Sequence, residues 1–173
     1  LQVARAFVKN GHKVLLISAG QLSRNENFEH ISSPRRFWKI ASTWRAIFLM
    51  NKLKNNNFDL IYERQLIFGG IGKYWAYKWS TKIIYEVNSP HRLVMLYKYK
   101  FLRIISSLIY YYEKITFINI NGIVTTHNSL VPKHYIGSRF VSTWAVKSNK
   151  LFTESPWPKN DKNKVILIAG SLL

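Results

Sequence analysis

Apolar residues in this chain fall into two kinds of block. Short consecutive runs read as buried strands: Val14-Leu15-Leu16-Ile17, Phe58 to Tyr62, Ile83 to Val87, Ile123 to Thr126, a run within Arg139–Val146, and Val165-Ile166-Leu167-Ile168. Between them apolar positions recur at helical spacing. Leu1 to Val8 reads as a helix ended by Asn10-Gly11, since glycine commonly sits just past a helix C-terminus. Trp38 to Leu53 and Leu66 to Trp79 read as two more, and Ser129 to Tyr135 as a short one. Residues 20–36 are polar and predict a long loop.

The longest periodic block runs from His91 to Ile118. Val94, Tyr97, Phe101, Ile104, Leu108, Tyr111, Ile115 and Ile118 recur at alternating steps of three and four. That spacing predicts one continuous helix with the stripe turned to the core. A coiled-coil seam has the same spacing and is the rarer cause.

Strands that alternate with helices and are apolar almost throughout predict an α/β fold, a Rossmann-like parallel sheet with helices on both faces. Residues 1–154 form this domain, 155–163 a polar, proline-containing linker, and 164–173 the opening strand of a second domain. A first helix with no strand before it is unusual for such a sheet, whose first strand lies at the centre. The expectation is therefore a sheet without its middle strand, poorly stable alone.

At 173 residues, 47% of them hydrophobic, the chain can bury a real core and is not disordered. It has no cysteine, which removes disulfides, thiolate metal sites and cysteine nucleophiles. The 26 Lys and Arg against 8 Asp and Glu leave a net charge of +18, which implies an anionic partner. No segment reads as a secretory signal, and the apolar stretch Ile104 to Tyr112 is too short to cross a bilayer. The expected location is cytoplasmic, with peripheral contact at the inner face of a membrane left open.

In open parallel sheets ligands bind beyond the carboxyl ends of the strands. That rule selects Ser18-Ala19-Gly20, Glu63-Arg64, Glu86 with Asn88-Ser89-Pro90, and Thr126-His127-Asn128. Glu86 and Asn88 are two apart, so an extended segment turns them to one side. Alternatively Asn88 caps the following helix, which Pro90 would start. Arg64 suits bidentate grip of a phosphate or carboxylate, or pairs with Glu63. No two of the five histidines have metal-ligand spacing with a carboxylate, so no metal site is expected. Gly69-Gly70-Ile71-Gly72 falls inside a predicted helix, the wrong place for a dinucleotide fingerprint. The segment Arg35, Arg36, Phe37, Trp38, Lys39, continuing to Trp44 and Arg45, has the make-up of an interfacial membrane contact. The same make-up fits stacking on single-stranded nucleic acid, or a helix with core tryptophans and a solvated basic face. The absence of any nucleic-acid-binding motif counts against the nucleic-acid version.

Taken in order, the motifs resemble those of GT-B glycosyltransferases of the family 4 type. Phe7 to Val14 is similar to their "L-x-x-x-G-H-x-V" passage, Asp59 to Arg64 to "D-x-I-Y-x-R", and Tyr85 to Pro90 to the "E-x-N-x-P" loop. Asn121 to Leu130 resembles "A-D-x-I-V-x-x-S-x-x-L", Trp144-Ala145-Val146 a worn "P-x-G-V-D", and Lys164 to Leu172 the "V-I-L-x-A-G-S-L" strand of the donor domain. The resemblance implies most of an acceptor-side domain, with Glu86, Asn88 and Arg64 contacting substrate. It also implies a nucleotide-sugar donor as substrate, no cofactor, a lipid-linked or saccharide acceptor, an anionic membrane surface nearby, and a C-terminal donor domain beyond this chain. Departures stand beside it. Ala145 and Lys147 replace the usual Gly and Asp, Asn88 stands where many relatives carry His, and the "E-x7-E" signature is absent. No catalytic residue is assigned, and this chain alone is expected to be inactive.

Overall fold

The structure is a computed structural model that describes residues 2–19, 26–33, 53, 57–65, 69–141 and 165–169. Its elements in chain order are α1 (Gln2–Lys9), β1 (Lys13–Ala19), β2 (Glu29–Ser33), β3 (Leu60–Arg64), α2 (Ile71–Trp79), β4 (Lys82–Val87) and α3 (His91–Lys98). A 3-10 helix (Lys100–Ile105), α4 (Ser106–Phe117), β5 (Gly122–Thr125), a 3-10 turn (Asn128–Leu130), β6 (Ser138–Val141) and β7 (Val165–Ala169) follow. The strands form one seven-stranded sheet in the order β2-β1-β7-β3-β4-β5-β6. Every pairing in it is parallel.

Alternate positions along the strands divide the core between two faces. Val14, Leu16, Tyr62 and Ile84 are buried on one, where α1 sets Ala4, with Val3, Phe7 and Val8 packed around it. Leu15, Ile17, Ile61, Ile83, Tyr85, Val87 and Ile123 line the other, against Ile71 and Trp75 of α2 and Phe117 of α4. The α/β class, with a parallel sheet and helices on both faces, is therefore as the strand pattern predicts. On the second face Trp75 stacks on Trp79, with ring centroids 5.7 Å apart. The α1 helix ends as expected: Gly11 N–H donates to Val8 and His12 N–H to Phe7, a reciprocal closure that puts Gly11 at φ +83°.

Four expectations change. First, β2 lies inside the predicted loop. Its sequence, Glu-His-Ile-Ser-Ser, is polar because β2 is an edge strand with one neighbour, and only Ile31 packs on the core. Second, the block from His91 to Ile118 is not one helix but α3, a 3-10 stretch and α4. Its predicted core stripe faces outward: every residue of it from Val94 to Ile118 is exposed, and Leu102, Ile109 and Phe117 face inward instead. Third, residues 129–135 form a single 3-10 turn followed by irregular chain rather than a short α-helix. Fourth, residues 165–169, which the sequence places at the start of another domain, form the central strand of this sheet. They pair with β1 on one side and β3 on the other, so the middle of the sheet is filled. Without them β1 and β3 would each present a row of unpaired backbone groups to the gap.

Of the helix expected over Trp38–Leu53 only Leu53 is described, and it is buried. The basic-aromatic residues Arg35 to Arg45, the linker 155–163 and residues 142–146 of the predicted fifth strand lie outside the described residues.

Candidate functional site at the carboxyl ends of the strands

The three residues selected as substrate contacts come together. Arg64 ends β3 and is the register partner of Glu86 in β4, so both side chains leave the sheet on the α1 face. Asn88 follows one residue beyond β4, and its Nδ2 donates to Glu86 Oε1. The Asn88 amide is thus spent on Glu86 rather than on capping α3, whose first turn is closed by Val94 N–H donating to Pro90. Burial, reinforced by the negative charge of the same Glu86 carboxylate, raises the Tyr62 hydroxyl well above the usual tyrosine range. Asn88 Oδ1 is buried and accepts no hydrogen bond among the described residues. A buried acceptor left open in this way carries a desolvation cost.

On the same face, Ser18 of β1 is buried and its Oγ lies 2.9 Å from Nε2 of His30 in β2. Burial lowers the His30 pKa below the usual histidine value, favouring the neutral ring. Composition gave no hint of this pair, because His30 fell within the predicted loop. The pair lies across β7 from Arg64, two strand spacings or about 10 Å away.

Glu63 plays a different part from its neighbour. Adjacent strand residues face opposite ways, so Glu63 enters the α2 side and makes no pair with Arg64. Its Oε1 accepts from Gly70 N–H at 2.8 Å and its Oε2 from Gly72 N–H at 3.0 Å. These are the free donors at the start of α2, where a carboxylate is favoured. Only glycine fits at position 72: a Cβ there would lie 2.7 Å from Glu63 Oε2 and 3.0 Å from Ile61 Cγ2. The Gly69-Gly70-Ile71-Gly72 run therefore straddles the start of α2, with Gly69 and Gly70 before it and Ile71 and Gly72 in its first turn, and the acceptor at its N–H groups is the chain's own carboxyl. Burial pushes the Glu63 carboxyl up to about 7 in spite of the bonds from Gly70 and Gly72. The Tyr85 hydroxyl is buried beside it, and desolvation followed by the Glu63 charge raises that hydroxyl far above its ordinary range. Spacing alone did not reveal this contact, since it joins the end of one element to the start of the next, seven and nine residues apart.

His127 at the end of β5 is exposed and caps the following turn. Its Nδ1 accepts from Ser129 N–H at 3.2 Å and lies 2.8 Å from Ser129 Oγ. Behind it Thr125 Oγ1 donates to the Val87 carbonyl at 2.8 Å, tying β5 to the end of β4. A cavity of about 410 Å³ lined by Asn57, Phe58, Asp59, Trp79 and Lys82 opens at the opposite, amino-terminal edge of the sheet. It shares no residue with the Arg64–Glu86–Asn88 cluster. Among the described residues, no three His, Asp or Glu side chains converge as metal ligands, and no helix is long and apolar enough to cross a membrane. Comparison with protein-family models, curated proteins and solved structures gives no match to this chain.

Proposed function

We propose that this chain is the acceptor-side part of a GT-B glycosyltransferase of the family 4 type, moving a sugar from a nucleotide-sugar donor to a lipid-linked or saccharide acceptor in envelope or polysaccharide synthesis. The reading is carried by one observation. Glu86, Asn88 and Arg64 cluster at the carboxyl edge of a parallel sheet, and Asn88 Oδ1 is buried there with no donor among the described residues. Saccharide hydroxyls are donors of the right kind, and Arg64 adds a fork for a carboxylate or phosphate on the acceptor. The order of the first five sequence motifs supports the same reading, while the sixth, Lys164 to Leu172, contributes the central strand of this sheet instead of opening a donor domain. In the transfer, an acceptor hydroxyl oxygen bonds to the anomeric carbon of the sugar, with retained configuration, the bond from that carbon to the nucleotide phosphate breaks, and the hydroxyl proton passes to the departing phosphate. In this reading the donor and its leaving diphosphate are held by a donor-side domain, so the described residues bind acceptor and do not turn over by themselves.

Ligand-observed NMR of the chain with a panel of neutral and acidic saccharides tests this. Saccharide binding that weakens in Asn88→Ala and Arg64→Ala is the expected result. Nucleotide-sugar binding without saccharide binding, or transfer by this chain alone, overturns it. A second reading, a non-catalytic basic module on an anionic membrane, is favoured by the outward face of residues 93–118.

A further inference from the structure

The stripe that periodicity assigns to the core is exposed along its whole length from Val94 to Ile118. Ile104 is 89% exposed, Tyr97 82% and Leu108 69%. Val94, Phe101 and Tyr111 are also at least half exposed. On α4, Leu108, Tyr111 and Ile115 share one helix face, and α3 and the 3-10 helix pack against α4 and each other. Side chains of this size carry roughly 150–250 Å² each when aromatic, so together they exceed the few hundred Å² that monomeric proteins usually leave open.

The charges on this face have one sign. Lys98, Lys100, Arg103 and Lys114 are exposed, while Glu113 is only part-exposed and accepts from Gln65 at 3.4 Å. A second copy of the chain meeting this face would bring the same four cations against themselves. A coiled-coil seam also needs a continuous helix, and here α3 and α4 are separated by Tyr99 and a six-residue 3-10 stretch. Tyrosines with an apolar body and a polar tip, and lysines beside them, suit a lipid headgroup boundary. Lys98 Nζ already lies 5.5 Å from the centre of the Tyr99 ring.

We infer that residues 93–118 form a docking face for an anionic lipid bilayer, with Ile104 and Leu108 entering the acyl boundary and Lys98, Lys100, Arg103 and Lys114 contacting headgroup phosphates. The face lies in the surface and does not span it. The inference draws on exposure and charge, not on sugar transfer, and is separate from the contact expected at Arg35 to Arg45.

Co-sedimentation of the whole chain with phosphatidylcholine vesicles, with and without phosphatidylglycerol, tests it. Binding to the anionic vesicles, lost at high salt, is expected. Ile104→Ser with Leu108→Ser should weaken it about tenfold or more, as two large apolar side chains stop being buried. Lys98→Glu with Lys100→Glu should weaken it about fivefold per charge removed, or more. These side chains are exposed, so the far-ultraviolet circular dichroism of the variants should match the parent. No binding by the parent, or equal binding by the serine variant, overturns the inference. So does binding lost only in Trp38→Ser with Trp44→Ser, which moves the contact to that segment. A dimer that the serine variant dissolves assigns the face to a second copy instead. Vesicle binding without saccharide binding would leave this face standing and remove the transferase reading alone.

Discussion

Replacing Glu63 by Gln isolates a single proton. The parent carboxyl is fully buried and its pKa is raised from 4.5 to about 7, with desolvation as the leading cause. Between those values the folded protein keeps a proton that the unfolded chain has lost. The group's contribution is therefore fully present below 4.5 and disappears as pH rises through 7. That displacement corresponds to about 3 kcal/mol of stability. Glutamine is nearly isosteric and does not titrate, but its amide accepts from only one of Gly70 and Gly72 and sets N–H against N–H at the other. In acid the protonated parent also carries a donor, but its hydroxyl oxygen still accepts as an amide nitrogen does not, so Glu63→Gln should be less stable by about 1–3 kcal/mol, the cost of a mismatched buried donor. As pH rises through the window the parent weakens, the variant does not, and the gap closes or reverses. Urea unfolding of both proteins at a series of pH values reads this directly. Parallel curves across the window would show that the carboxyl does not titrate there, and the account of burial against hydrogen bonding would fail.

Other substitutions probe other contacts. Gly72→Ala should destabilise by about 1–3 kcal/mol in the same assay, because the new methyl meets Glu63 Oε2 and Ile61; a neutral result would mean that α2 can step away from β3. Trp75→Ala empties a fully buried site stacked on Trp79 and should cost about 3–5 kcal/mol of unfolding free energy. His127→Ala removes the cap on the 128–130 turn and should cost about 1 kcal/mol or less, a small shift in the thermal midpoint. An NMR titration should place His30 below the ordinary histidine value of 6.5, and a midpoint at or above it would contradict its burial against Ser18.

Where one physical demand dominated, residue patterns were enough to place the elements. The runs at Val14–Ile17, Ile83–Val87 and Ile123–Thr125 are apolar because their strands have neighbours on both edges and core on both faces. β2 escaped notice because an edge strand needs little apolar surface. The stripe from Val94 to Ile118 runs over three helical segments instead of one helix and faces outward instead of inward. Periodicity says which residues lie on one side of a helix, not what that side meets. At the site, Glu86 and Asn88 were legible because both lie on one extended segment, and the strand-end rule picked out Arg64. The Glu63 contacts with Gly70 and Gly72 depend on where the start of α2 sits against β3, which no local spacing encodes. The sequence also signalled both a vacant sheet centre and an apolar run at Val165–Ala169, but their match appears only in three dimensions.

That match has a consequence during synthesis. Translation delivers β1 and β2 first, then β3 to β6, and only much later the strand that joins the two groups. Until then Lys13–Ala19 and Leu60–Arg64 each offer a free parallel edge, with apolar side chains on both sides of the strand. Long-range parallel pairing of this kind is slow to form, and exposed strand edges are where chains meet and aggregate. The ribosome-bound chain is then two half-sheets waiting on one segment, a state suited to chaperone capture. Folding yield should be governed by the arrival of residues 165–169 more than by any contact formed before them.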